Sequence, residues 1–131
     1  AVIAIESHGR NDLIRLELAA GLTLDAQITH DSTQRLELEI GTEVVALIKA
    51  GWLEVLSAEA VATPGHNCMS GKIEAILDAN DGPSEVRITL PNGQVLCALA
   101  QPDALKRLGA AEGQPIQVQF SPSNVLLGTP V

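Results

Sequence analysis

Residues in the first half of this chain recur in the second at one constant spacing. Arg15, Leu18, Gly21, Leu24, Ala26, Asp31, Arg35, Leu36 and Gly41 are matched by Arg87, Leu90, Gly93, Leu96, Ala98, Asp103, Arg107, Leu108 and Gly113, always 72 positions on. An offset that holds across apolar runs, turns and helical stretches alike indicates an internal duplication, and two copies of this length mean tandem domains and not a solenoid. Whatever fold the first copy takes, the second must take as well.

Within the first copy the pattern is that of short strands. Ala1–Ile5 is an apolar strand, and Leu13–Leu18 alternates apolar and charged residues as a half-buried strand does. A turn at Ala19-Ala20-Gly21 returns the chain as the strand Leu22–Ile28. A short amphipathic helix then runs from Thr29 towards Leu38, with Leu36 and Leu38 on its inner side. After the Gly41 turn come strands over 43–49 and 51–56. The expected class is all-β with short helices: five strands per copy, one helix after the third, suited to a small closed or partly open barrel of the oligonucleotide/oligosaccharide-binding type. The expected division is a first repeat over 1–57, a linker rich in Ala, Thr, Pro and Gly over 58–68, and a second repeat over 69–131. Barrels this small have little core, so pairing of copies or of chains would bury their remaining edges.

Composition narrows the function. With one Trp, one Phe and no Tyr, the chain has no stacking platform for single-stranded nucleic acid. A formal net charge of −8 is the wrong sign for a surface that neutralises phosphates. No apolar run approaches the ~20 residues a membrane span needs, and Ala1 opens no secretory pattern, so a soluble, cytoplasmic protein is expected. The absence of an initiator Met is read as a chain processed or cut from something longer. Cys68 and Cys97 form no Cys-x-x-Cys pair; buried thiols are expected and a metal site is not. His8, His30 and His66 are scattered among loops and caps, which favours surface roles. Glu17, Glu37, Glu39 and Glu43 are read as a solvated face. No nucleophile, base and acid fall into a set, so the chain is read as a binding protein and not an enzyme.

One cluster stands out against this background. Thr29 has the position of a helix N-cap and Ser32 falls in the same first turn, so two hydroxyls stand beside unpaired backbone N–H groups at the positive end of a helix. Lys49 ends an apolar strand and supplies a formal charge. As an oxyanion site these residues would combine hydroxyl, amide and ammonium donors; as plain structure they would be capping residues and a solvent-reaching lysine. The duplication offers a control. At the same offset Thr29 becomes Gln101, Ser32 becomes Ala104, Lys49 becomes Ser121 and His30 becomes Pro102. The second copy keeps the scaffold and loses the cluster. Asp31, between the two hydroxyls, is expected to point outward as a first-turn acid.

The run Ile28-Thr29-x-x-Ser32, then Gly41-x-Glu43-Val44 and Leu47-Ile48-Lys49-Ala50-x-Trp52, resembles the molybdate/tungstate-binding Mop, or TOBE, domain. Asn67-x-x-x-Gly71 resembles the end of that family's Ser-Ala-Arg-Asn-x-x-x-Gly box, and Ser123-Asn124-Val125-Leu126-Leu127 its closing strand. The tandem arrangement, Trp52, the Glu59-Ala60-Val61-Ala62 linker and the Pro91–Ala98 hairpin are most similar to the effector-binding half of molybdate-responsive transcriptional regulators.

The resemblance implies two tandem five-stranded barrels that bind molybdate or tungstate through Thr29, Ser32, Lys49 and the backbone N–H of Ala50, with no organic cofactor. It also implies a homodimer or larger homo-oligomer with the ligand at the subunit interface, no membrane, and DNA contacted only through a separate upstream domain. Two departures stand out: the box preceding the first repeat would lie before Ala1, and His66 occupies the arginine position of the second. Other readings of the same residues are a free-standing molybdate storage protein, the regulatory tail of a molybdate importer ATPase, and a ligand-free protein-interaction barrel.

Overall fold

A computed structural model describes residues 1–19 and 21–130. Along them run β1 (Val2–His8), β2 (Asn11–Ala19), β3 (Leu22–Thr29), α1 (His30–Arg35), β4 (Val45–Leu47) and β5 (Glu54–Ser57). The second half supplies β6 (Asn67–Leu77), β7 (Ser84–Thr89), β8 (Val95–Ala100), α2 (Pro102–Leu108), β9 (Pro115–Phe120) and β10 (Leu126–Gly128). Two 3-10 turns, Ala50–Trp52 and Pro122–Asn124, sit at matching places in the two copies. The class is the expected one, all-β with short helices. The strand expected over 43–49 is shorter, and the one expected over 51–56 is a 3-10 turn followed by β5. The first hairpin turn includes Ala20, which lies outside the described residues. Asn67 and Cys68, expected in the linker, open β6.

Period-two alternation produces both cores. In β2 the residues Asp12, Ile14 and Leu16 face inward, and in β3 Leu24 and Ala26 do. The register sets Ile14 opposite Ala26 and Leu16 opposite Leu24. In the second copy Val86 lies opposite Ala98 and Ile88 opposite Leu96. Ala26 and Ala98 are both fully buried across from a β-branched residue, where a larger side chain would overpack, which explains why the repeat keeps alanine there. Gly71 is fixed by a similar constraint: a Cβ on it would come within 2.6 Å of the Thr89 carbonyl oxygen and 2.8 Å of Ile88 Cγ2. The thiols depart from expectation. Cys68 and Cys97 are exposed, because each falls on the outward beat of its strand; Cys68 lies between the inward-facing Asn67 and Met69.

The two packed units do not coincide with the two repeats. One consists of Ala1–Ile48 together with the segment from Ser121 onward, and the other of Lys49–Phe120. In the first, β1, β2 and β3 form one sheet and β4 pairs with β10. In the second, the strand order is β5-β9-β6-β7-β8. Each barrel is thus closed by the last strand of the other repeat. Apolar anchors hold the exchanged segments: Val125 is 2% exposed in the first unit and Leu53 3% in the second, and burying each is worth roughly 1.5–3 kcal/mol. The boundaries 1–57 and 69–131 follow the duplication in sequence; the contacts follow the exchange.

Candidate functional site

Strand β3 delivers Thr29 to the start of α1 in an extended conformation, φ −71° and ψ 149°. Its Oγ1 accepts the Ser32 N–H at 3.1 Å and donates to Ser32 Oγ at 2.8 Å. Thr29 is therefore the N-cap the sequence indicated, and the Ser32 hydroxyl, already accepting, keeps its own proton to donate elsewhere. Both residues line a cavity of about 550 Å³, together with Asn11, Gln27, Arg35 and Ser123. Arg35 is committed to Asp31, one helical turn away. Asp31 itself is exposed, as expected.

Ser123 was not singled out from sequence. It reaches this cavity only because the segment after Phe120 closes the first unit. There Ser121 caps the 3-10 turn, its Oγ accepting the Ser123 N–H at 3.3 Å and lying 2.8 Å from Ser123 Oγ. The first unit thus carries two hydroxyl pairs, each formed by the cap of a helical turn and a residue within that turn.

Lys49 and Ala50 lie in the second unit. Lys49 has φ −64° and ψ 134°, nearly the backbone of its repeat counterpart Ser121, and its Nζ stands 5.3 Å from the centroid of the Trp52 ring. The cavity in this unit, about 300 Å³, is lined by Trp52, Leu53, Leu99, Ala104 and Leu108 among others. Ala104 and Leu108 stand where Ser32 and Leu36 stand in the first unit, and Leu99 replaces Gln27. The hydroxyl that Ser32 gives the first cavity is absent from this one, which has the carboxylate-bearing Glu54 in its lining. The structure joins Thr29 to Ser32 and sets Lys49 beside Ala50, and neither unit by itself holds all four groups.

His30 is exposed, as expected, but its ring also reaches a buried partner. Its Nδ1 lies 2.9 Å from Oδ2 of Asp12, a residue only 1% exposed. Asp12 Oδ1 is buried without a hydrogen-bond partner of normal geometry. Burial pushes the Asp12 carboxyl pKa up, but the hydroxyl of Thr33, the imidazole of His30 and the hydroxyl of Ser7 together hold it below the ordinary aspartate value. The strand expected from sequence began at Leu13, one residue after Asp12. The signal was the alternation itself, since extending Leu16 and Ile14 back by two places puts Asp12 on the core face.

Among the described residues no group of three or more His, Cys, Asp and Glu side chains could hold a metal ion, and no helix is long and apolar enough to cross a membrane. The cavity of the first unit is lined by the hydroxyl-bearing Thr29, Ser32 and Ser123.

Compared with known families, the chain matches the TOBE domain over residues 1–55 and again over 63–127. It belongs to the TOBE domain family. The TOBE repeats are similar to the transcriptional regulator ModE of Yersinia pestis, 36% identical over 88% of this chain and 44% of that protein. They also resemble the molybdenum-pterin-binding protein MopA of Rhodobacter capsulatus, 32% identical over 92% of this chain and 45% of that protein. The chain therefore spans less than half the length of these curated relatives. Among solved structures, the cytoplasmic molybdate-binding protein ModG in a molybdate-bound form superposes with a TM-score of 0.92 at 28% identity, covering 98% of this chain and 92% of that one. Tandem TOBE barrels of the OB-like kind are thus the fold, as the sequence indicated.

Proposed function

We propose that this chain binds molybdate or tungstate reversibly, through Thr29, Ser32, Lys49 and the Ala50 N–H, and uses no organic cofactor. The observation that carries this reading is the Thr29–Ser32 hydroxyl pair, which lines a cavity in the first unit and whose counterparts in the second copy are Gln101 and Ala104. A tetrahedral dianion is met here by hydroxyl donors and helix amides. Lys49 adds a charge-assisted bond, worth roughly 1.5–3 kcal/mol. Its present contact with the exposed Trp52 ring is worth only about 0.5–1 kcal/mol, so an anion outcompetes the ring. The reading includes a homodimer or larger homo-oligomer with the ligand at the subunit interface. Selection against sulfate then follows from cavity size, since sulfate has the same charge and shape with shorter bonds.

In this reading the chain is the sensor and dimerisation module of a cytoplasmic transcriptional regulator, and DNA is contacted by a separate domain. The similarity to ModE supports it. The near-complete overlap with ModG favours a second reading, a free-standing molybdate buffer; a helix-turn-helix domain in the same gene product would decide for the first.

Trp52, the single tryptophan, reports on Lys49 directly. Titration with molybdate and tungstate is expected to give a saturable change in Trp52 emission that excess sulfate does not reproduce and that Lys49→Ala abolishes. No heat and no emission change with either anion at millimolar concentration sinks the reading.

A further inference from the structure

We infer that Asp12 is a positioning residue for the oxyanion site, acting through His30 to fix the first turn of α1. The inference rests on the reading of Thr29 and Ser32 as ligand groups. Helix α1 has only six residues, too few to hold its own geometry, so the direction of its two hydroxyls is set by whatever anchors its first turn. His30 sits between them in sequence and is pinned twice to the β1–β2 hairpin. Its N–H donates to the Arg10 carbonyl at 2.8 Å, and its Nδ1 meets Asp12 Oδ2 at 2.9 Å. The Gln34 side-chain nitrogen approaches His30 Nε2 at 3.3 Å. An amide nitrogen can only donate, so Nε2 accepts and the Nδ1 proton is directed at the carboxylate.

A carboxylate this deeply buried is costly unless partnered, and the duplication shows that the scaffold does not require one. At the matching positions the second copy has Ser84 and Pro102. Ser84 is fully buried too, but it is satisfied within its own hairpin, donating to Asp78 at 3.0 Å. Pro102 has neither an imidazole nor an N–H, so both pins are missing. The carboxylate–imidazole pair and the hydroxyl pair therefore occur in the same copy and are absent from the same copy. A purely structural pair gives no reason for that association; a pair that aims the hydroxyls does.

The test is molybdate calorimetry on the full chain at a temperature where circular dichroism shows each variant folded. His30→Ala and Asp12→Ala are expected to weaken binding about tenfold or more, the scale of one charge-assisted hydrogen bond. His30→Asn, which keeps an amide donor near the Nδ1 position, is expected to recover affinity to within about threefold of the unmodified chain, since the directed bond is restored. Ser84→Ala removes the buried hydrogen bond at the equivalent place in the second unit and is expected to bind as the unmodified chain does. Should Asp12→Ala fail to fold, the half-exposed His30 carries the comparison. A folded His30→Ala that binds molybdate with unchanged affinity, or a Ser84→Ala that loses as much as it does, overturns the positioning role and leaves the oxyanion reading standing. An unmodified chain that binds no molybdate overturns both.

Discussion

At the scale of single residues, Asp12 couples the fold to pH. Its folded-state pKa lies below the ordinary value of 3.8, so the ionised carboxylate stabilises the fold above about pH 4, and that contribution is lost as pH falls through the depressed value. Urea midpoints measured from about pH 6 down to about pH 3 are expected to fall more steeply for the unmodified chain than for Asp12→Asn, which takes up no proton in that window. Equal slopes would mean that the buried carboxylate is not held ionised. Thr29 and Ser32 were legible in the sequence because capping is local, an interaction over three residues with a known residue preference. The partner of His30 was not, since it lies 18 positions away and depends on the register of a hairpin. The thiols were misread for a related reason: only the phase of the alternation in β6 and β8 says which way Cys68 and Cys97 face.

At the scale of elements, the ends of the two helices make a useful contrast. Gly109 closes α2 in the left-handed region at φ 61°. Its counterpart in the first copy is Glu37, at φ 53°, where a side chain with a Cβ is strained by about 1 kcal/mol. Glu37→Gly is therefore expected to stabilise the chain by roughly 0.5–1 kcal/mol, read as a higher urea midpoint at unchanged slope; a lower midpoint would show that Glu37 makes a compensating contact. Strand β3 was legible almost to the residue, because alternation, turn glycines and duplication agree there, while β1 runs three residues beyond its expected end and β2 starts two residues early. The stretch from 43 to 56 was not. Its apolar residues fit one long strand or a strand broken by a 3-10 turn equally well, and packing, not propensity, decides between them. Nor could sequence say which barrel β5 and β10 would join, since duplicated strands carry the same pattern and each fits either sheet.

At the scale of the whole molecule, the exchange changes what counts as a self-sufficient piece. The second unit is one continuous segment, Lys49–Phe120, whereas the first needs both ends of the chain. A fragment spanning 49–120 is expected to fold alone, with a cooperative thermal transition, while fragments 1–57 and 69–131, cut at the repeat boundaries, are expected to lack one as monomers, each being without its closing strand. Cooperative melting of monomeric 1–57 would overturn the exchange. The same arrangement has a consequence in time. A ribosome making this chain releases β4 more than seventy residues before β10, an interval of roughly 4–15 s at 5–20 residues per second. Through that interval the hydroxyls of Thr29 and Ser32 sit in a barrel that cannot yet close, and the cavity they line takes shape only once β10 has been made.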